Sequence, residues 1–417
     1  FVMLAALHIM EEDGYTIEEI DALTGPAMGL PKSATFRLLD IIGLDVLSHV
    51  VKNLADALPN DERRDLFQLP EFLVQMIERK LLGDKTGQGF YKKIKASGGD
   101  SEILTLDFNT FEYRKRQRPN LPSLEMAQSV EDTGQRVAQL MQSPDRAGQF
   151  YRRILSDTFH YAASRIPEIS DDIISVDNAM KWGFAWERGV FELWDAVGVE
   201  KIVDGWRKEN REAPPLVQRL LADGRKTFYA SSDGDTRFFD LASCEYRLLP
   251  ERPGVLRLPA LKAGNREIKK NAGASLIDLG DGVLCLEFHS KMNTLGTDAM
   301  QMVRAGLKAL DEGFDAMVIG NQGKVFSAGA NLMLLLIAAQ EGEWDDLHEE
   351  VRRFQNSNMA LKYAPKPVVA APHGLTLGGG VEMILHTARV RAAADTYMGL
   401  VEFGGGLIPA GGGPKEM

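Results

Sequence analysis

A repeat that keeps its register across 155 residues constrains this chain more than any other feature. The stretch IDALTGPAMGLPKSATFRLLDIIGLD, Ile20 to Asp45, can be laid on VDNAMKWGFAWERGVFELWDAVGVE, Val176 to Glu200, with a single-residue gap. Phe36 and Phe191, Asp40 and Asp195, and Gly43 and Gly198 each lie 155 apart, while Asp21 and Asp177 lie 156 apart. Any two amphipathic helices share apolar spacing; an aromatic, an acid and a glycine held in register are more than that. An internal repeat of this size points to one helical unit used twice and packed as a pair.

The rest of the organisation follows from that repeat. Residues 1 to about 60 read helical, clearest in DIIGLDVLSHVVKNLADAL, and GDKTGQGFYKK has the glycines of a closing turn. The expected divisions are a first helical domain over 1–95, a polar linker over 96–145 with one short strand at ILTLDF, and a second helical domain over 146–225. An irregular connection, 226–265, then leads to residues 266–417, where SLIDLGDGVLCLEF, DAMVIGNQ and PKPVVAAPHG alternate with helical patterns such as TDAMQMVRAGLKALDEG. Short β-rich runs between helices are an α/β signature, so the fold class expected is a multidomain α plus α/β chain. At 417 residues the chain accommodates about two to four domains of roughly 100–200 residues each. It opens at Phe1 on FVMLAALHIMEE, already a helix in progress, which suggests a chain cut from something longer.

Charge and cysteine content narrow the partners. A net charge of −11 argues against non-specific nucleic-acid binding, yet leaves anionic substrates that backbone N–H groups can hold. The two cysteines, Cys244 and Cys285, lack metal-type spacing, so a reducing compartment, the cytoplasm, is expected. The longest apolar run, near LMLLLIAA, is too short to span a bilayer, and no integral membrane segment is expected.

Chemistry concentrates in the last third. In GKVFSAGANLMLL and again in HGLTLGGGVEMIL, a strand ends in a small-residue loop and opens into an apolar helix. Each places bare N–H groups at a helix start, where four donors lack intrahelical partners. Two such ends facing one another would form an oxyanion hole, and glycine and alanine are needed because a substrate must approach the backbone closely. Glu382 follows the glycines, and Glu402 lies 20 residues later in YMGLVEFGGGLIPAGGG; both acids sit among small and apolar neighbours. Two carboxyls in such surroundings suit shared acid and base duties on one water.

These motifs carry a resemblance. FSAGANL, PVVAAPHGLTLGGGVE and YMGLVEFGGGLIPAGGG, from about Arg266 to the end, resemble the crotonase (enoyl-CoA hydratase/isomerase) family. The resemblance implies a ββα superhelix, here truncated, with Ala330 and Gly379 N–H as the oxyanion hole and Ala328, Gly329, Gly378 and Gly380 as substrate-binding positions. It also implies that Glu382 and Glu402 activate a water for addition across the 2,3 double bond of an enoyl-CoA, with no cofactor required. Asn331 and Val401 depart from the family's usual Asp and Pro. TGPAMGLPKSATFRLLDIIGLD with GDKTGQGFYKK resembles the C-terminal domain of 3-hydroxyacyl-CoA dehydrogenases, and ISVDNAMKWGFAWERGVFELWDAVG its second copy, a duplicated all-helical domain. The order of the two parts is similar to bifunctional proteins of fatty-acid β-oxidation. That implies acyl-CoA thioester substrates, with a thiolase subunit or a second copy of the chain as protein partner. NAD is implied for the complete dehydrogenase, but no G-x-G-x-x-G follows a strand, so its binding domain is expected to be missing. The readings left open are a crotonase-fold isomerase or hydrolase, and a non-catalytic acyl-CoA-binding module.

Overall fold

The computed structural model describes residues 1–95, 101–232, 235–250 and 254–417. They divide into two compact units, one of Phe1–Ala230 with Thr236–Leu249, the other of Ser231–Asp235 with Pro250–Met417.

In the first unit the repeat becomes two copies of one helical motif. Helices Ile17–Leu23, Phe36–Ile42 and Leu44–Ala57 correspond to Ile173–Asn178, Val190–Val197 and Val199–Lys208. Gly43 and Gly198 each end one helix and begin the next at φ +100° and +102°, a backbone that side chains disfavour, so glycine recurs at this corner. The two copies share one apolar core, in which Phe159 and Trp194 stack with ring centroids 5.0 Å apart.

Each copy also ends in a three-stranded sheet, of which only one strand was expected, at ILTLDF, within Ser101–Asp107. The strands are Tyr91–Lys95, Ser101–Asp107 and Glu112–Lys115 in the first copy, and Tyr229–Ser232, Asp235–Asp240 and Glu245–Leu248 in the second. The helical copies are therefore not all-helical. Residues 96–145, expected to be a linker, hold two of these strands and the helices Pro122–Ala127 and Thr133–Gln142; 226–265, expected to be irregular, holds the second sheet and the helix Leu258–Ala263. Runs such as YKKIK, EYRK and EYRL are too short and too charged to announce themselves as strands. The parts of SGGDSE, SSDGD and PERPG at 96–100, 233–234 and 251–253 lie outside the described residues.

What holds each sheet to its helices is a pair of aspartates that form no salt bridge among the described residues. Asp40 accepts the N–H groups of Phe90 and Tyr91 at 2.8 and 2.9 Å; Asp195 accepts those of Phe228 and Tyr229 at 2.7 and 2.8 Å. Asp21 accepts N–H groups of Thr35, Phe36 and Arg37, and Asp177 those of Phe191 and Glu192. The same tyrosines close both circuits: Tyr91 Oη donates to Asp21 at 2.7 Å and Tyr229 Oη to Asp177 at 2.8 Å. Burial pushes Asp40 up to about 6, and Asp177 and Asp195 up to about 7, against the opposing pull of the N–H donors.

The second unit is built on a six-stranded mixed sheet. Its order is Arg389–Val390, Val368–Ala370, Ala316–Ile319, Val283–Phe288, Ala274–Gly280 and Glu267–Lys270; the last three strands pair antiparallel and the others parallel. Helix Thr297–Glu312 packs Met300, Val303 and Leu310 with Leu276, Leu284, Leu286, Met317 and Ile319 of the sheet. A smaller layer pairs Leu375–Leu377 with Tyr397–Gly399 in parallel, and single bridges join Ser327 to Thr376 and Leu295 to Ala330. That layer carries the motif residues. Among the described residues no helix is long and apolar enough to cross a membrane.

The aspartate circuits give two expectations. Asp177→Ala orphans two buried N–H groups and a phenol, and should cost roughly 3 kcal/mol or more in urea unfolding followed by tryptophan fluorescence; Tyr229→Phe should cost about 1 kcal/mol. The Asp177→Ala penalty also depends on pH. A folded-state value of about 7 against an ordinary 3.8 means that folding takes up a proton between those limits, so the carboxyl's contribution is complete below about pH 4. It is lost as pH rises through about 7. The difference in unfolding free energy between wild type and Asp177→Ala is therefore expected to be larger at pH 5 than at pH 8.

Candidate active site

Two strand-to-helix junctions meet in the small layer. At the first, Ser327 is tied on every side: its N–H donates to Leu375 O at 3.2 Å, and its Oγ donates to Asn293 O at 2.8 Å while accepting Gly329 N–H at 3.1 Å. Gly329 has φ +82°, and a Cβ there would lie 2.8 Å from Leu377 O and 3.0 Å from Gly379 N. Only glycine permits that approach. The chain then passes through the exposed Ala330 into helix Leu332–Glu341.

At the second junction Leu377 N–H donates to Ser327 O at 2.9 Å and Gly378 N–H to Gly399 O at 2.9 Å. Gly378 sits at φ +52°, and Gly379 opens the helix Gly379–Leu385, so its N–H has no intrahelical acceptor. A Cβ on Gly379 would stand 3.7 Å from Ala330 N, which brings the two expected oxyanion donors side by side. Gly380 is packed against Ser327, whose Cβ would lie 2.9 Å from a Cβ at that position.

The remaining expected substrate-binding positions line the same two junctions. Ala328 N–H donates to Met292 O at 3.1 Å, and the Gly329 and Gly378 amides have the internal partners already named. With their donors engaged inside the protein, Ala328, Gly329 and Gly378 shape the loops; among the described residues the Ala330, Gly379 and Gly380 amides have no hydrogen-bond acceptor inside the protein, and Gly379 and Gly380 are both buried.

The two acids are held differently. Glu382, 2% exposed, turns its Oε1 to the N–H groups of Gly411 and Gly413 at 2.8 and 3.0 Å, while its own N–H donates to Gly378 O at 3.1 Å. Glu402 is half-buried at the start of the turn Glu402–Gly405, and its Oε1 would be 3.3 Å from a Cβ on Gly378. Its Oε2 is buried without a hydrogen-bond partner among the described residues. A carboxyl oxygen withdrawn from water and given no donor is costly.

Several contributors carry no motif and were missed. Asn293, at φ +51°, donates its Nδ2–H to Val325 O at 2.8 Å and so steadies the first junction. Phe354, on helix Trp344–Lys362, packs against both Gly379 and Gly411. Nothing in the spacing of the glycines of PAGGG says that the Gly411 and Gly413 N–H groups serve Glu382. His373 bonds through Nε2 to Gly323 O at 2.8 Å. Among the described residues there is no cluster of His, Cys, Asp and Glu that could hold a metal ion.

Both parts of the chain are similar to known proteins. Residues 1–93 match the 3-hydroxyacyl-CoA dehydrogenase C-terminal domain, and residues 282–414 match the enoyl-CoA hydratase/isomerase family. A probable 3-hydroxyacyl-CoA dehydrogenase of Bacillus subtilis is 44% identical over 415 residues, covering 100% of this chain and 52% of that protein. A putative fatty acid oxidation complex trifunctional enzyme of Rickettsia felis is 28% identical over 403 residues, covering 95% of this chain and 51% of its own length. The chain thus spans about half the length of the curated relatives it matches. Among solved structures, an enoyl-CoA hydratase from Polaromonas sp. JS666 aligns with 34% of this chain and 56% of its own, at 26% identity and a TM-score of 0.33. The chain carries a 3-hydroxyacyl-CoA dehydrogenase C-terminal domain followed by a crotonase-fold domain of the enoyl-CoA hydratase/isomerase family, the architecture of fatty-acid oxidation enzymes.

Proposed function

We propose that the second unit hydrates trans-2-enoyl-CoA thioesters to 3-hydroxyacyl-CoA. One observation carries the reading: the Ala330 and Gly379 amides lie side by side, Glu402 Oε1 comes within 3.3 Å of where a Cβ on Gly378 would stand, and Glu382 sits on the helix that Gly379 opens. The thioester oxygen sits on the two N–H groups, which face the charge that develops there when a nucleophile adds at C3. Glu382 offers Oε2, since Oε1 is engaged by Gly411 and Gly413, and Glu402 offers its unpartnered Oε2. Between them they hold one water, deliver its hydroxide to C3 and a proton to C2. Water is added across the double bond, nothing is oxidised, and no cofactor is needed.

The first unit belongs, on this reading, to an NAD-dependent 3-hydroxyacyl-CoA dehydrogenase that would oxidise the hydration product. No hydride step is assigned to these residues.

The test is loss of the conjugated enoyl-thioester absorbance with a short trans-2-enoyl-CoA. Glu382→Gln and Glu402→Gln are each expected to lower turnover by about 10²- to 10⁴-fold. Full activity in Glu382→Gln would favour isomerase or hydrolase chemistry instead, and thioester binding without turnover in the wild type would favour a non-catalytic module.

A further inference from the structure

Helix Trp344–Lys362 bears none of the motif residues, yet it touches both halves of the site. A Cβ on Gly379 would lie 3.2 Å from Phe354 Cζ, and one on Gly411 only 2.2 Å from Phe354 Cε1. The adjacent Gln355 donates through Nε2 to Ala410 O at 2.7 Å, and one turn further on Asn358 donates through Nδ2 to Gly411 O at 3.0 Å. Gly411 in turn donates its N–H to Glu382 Oε1 at 2.8 Å. Asn358 has no exposed surface, and neither it nor Gln355 is placed to meet a substrate through these contacts.

We propose that Asn358 is a positioning residue for Glu382, acting through Gly411. The amide grips the carbonyl side of Gly411 while the N–H side grips the carboxylate. Glu382 has three rotatable side-chain bonds on a short helix, and the donors on Oε1 decide which way Oε2 points. Only an uncharged donor serves at position 358. A carboxylate there would face the Gly411 carbonyl oxygen, and an apolar side chain of the same size would leave that oxygen buried and unpaired. The inference rests on the hydratase reading and adds to it the residue that sets the acid's geometry.

The experiment uses the full chain and short trans-2-enoyl-CoA, comparing wild type, Asn358→Leu, Gln355→Ala, Glu382→Gln and the Asn358→Leu/Glu382→Gln double variant. Product chromatography at high enzyme concentration follows the slow variants, and thermal unfolding of each is recorded. Asn358→Leu should lower kcat roughly 10- to 100-fold, the scale of a misplaced catalytic group, with KM held within about twofold. In the Glu382→Gln background the same change should cost little more, because both act on one step. Gln355→Ala should show a smaller loss of the same kcat-only kind, and it decides the matter should Asn358→Leu fail to fold. Additive losses in the double variant, or a rise in KM at unchanged kcat, overturn the proposal while leaving the hydratase reading intact. A wild type without turnover overturns the reading, and the positioning role falls with it.

Discussion

The second unit depends on how closely two stretches of backbone pass. Gly329 runs so near Gly379 that a single methyl group at position 329 would sit 3.0 Å from the Gly379 nitrogen. Ser327 makes that approach permanent. It pairs with the strand before Gly378 through its own backbone and pins the loop before Ala330 through its hydroxyl. Two amides almost fifty residues apart in the chain are thereby fixed before any ligand arrives, which is what electrostatic stabilisation of a reacting carbonyl requires. The small residues around them are a consequence of this packing.

The acids show the same economy of means. Glu382 is buried, and its compensation comes from peptide N–H groups of a glycine loop rather than from a cation. Bonds from peptide groups fix a direction, and the loop they come from is itself held by Phe354, Gln355 and Asn358. Glu402 receives no such support at Oε2. Two carboxyls in one small region thus differ in what surrounds them, the condition under which a pair can divide its work.

Buried carboxylates organise the first unit as well. Asp21 and Asp40, and their counterparts Asp177 and Asp195, spend their oxygens on backbone donors at the start of a helix and the start of a strand. A helix beginning and a strand edge both carry N–H groups without partners, and one aspartate serves each. Tyr91 and Tyr229 then join the two aspartates of a copy. The cost is visible in the raised Asp177 and Asp195 carboxyls. That cost explains why acid, aromatic and glycine stay in register across the repeat where ordinary surface positions drift.

Much of this was legible in the sequence. The repeated Asp, Phe and Gly positions announced a duplicated helical unit because side-chain spacing along a helix is a local property. The small-residue loops and the acids after them announced the second unit because close backbone approach excludes side chains wherever it occurs. Of the paired sheets only the strand at ILTLDF was legible: the others are brief or charged, and the sheets are held by aspartates more than thirty residues away in sequence. Nor could spacing show that Ala328, Gly329 and Gly378 spend their amides internally, that Gly411 and Gly413 bind Glu382, or that Asn358 grips Gly411. The sequence by itself determined which residue types stand ready and where glycine is obligatory. Only the tertiary structure decided which donors remain free and which oxygen of each acid is engaged, because those are contacts between distant segments with no period along the chain to betray them.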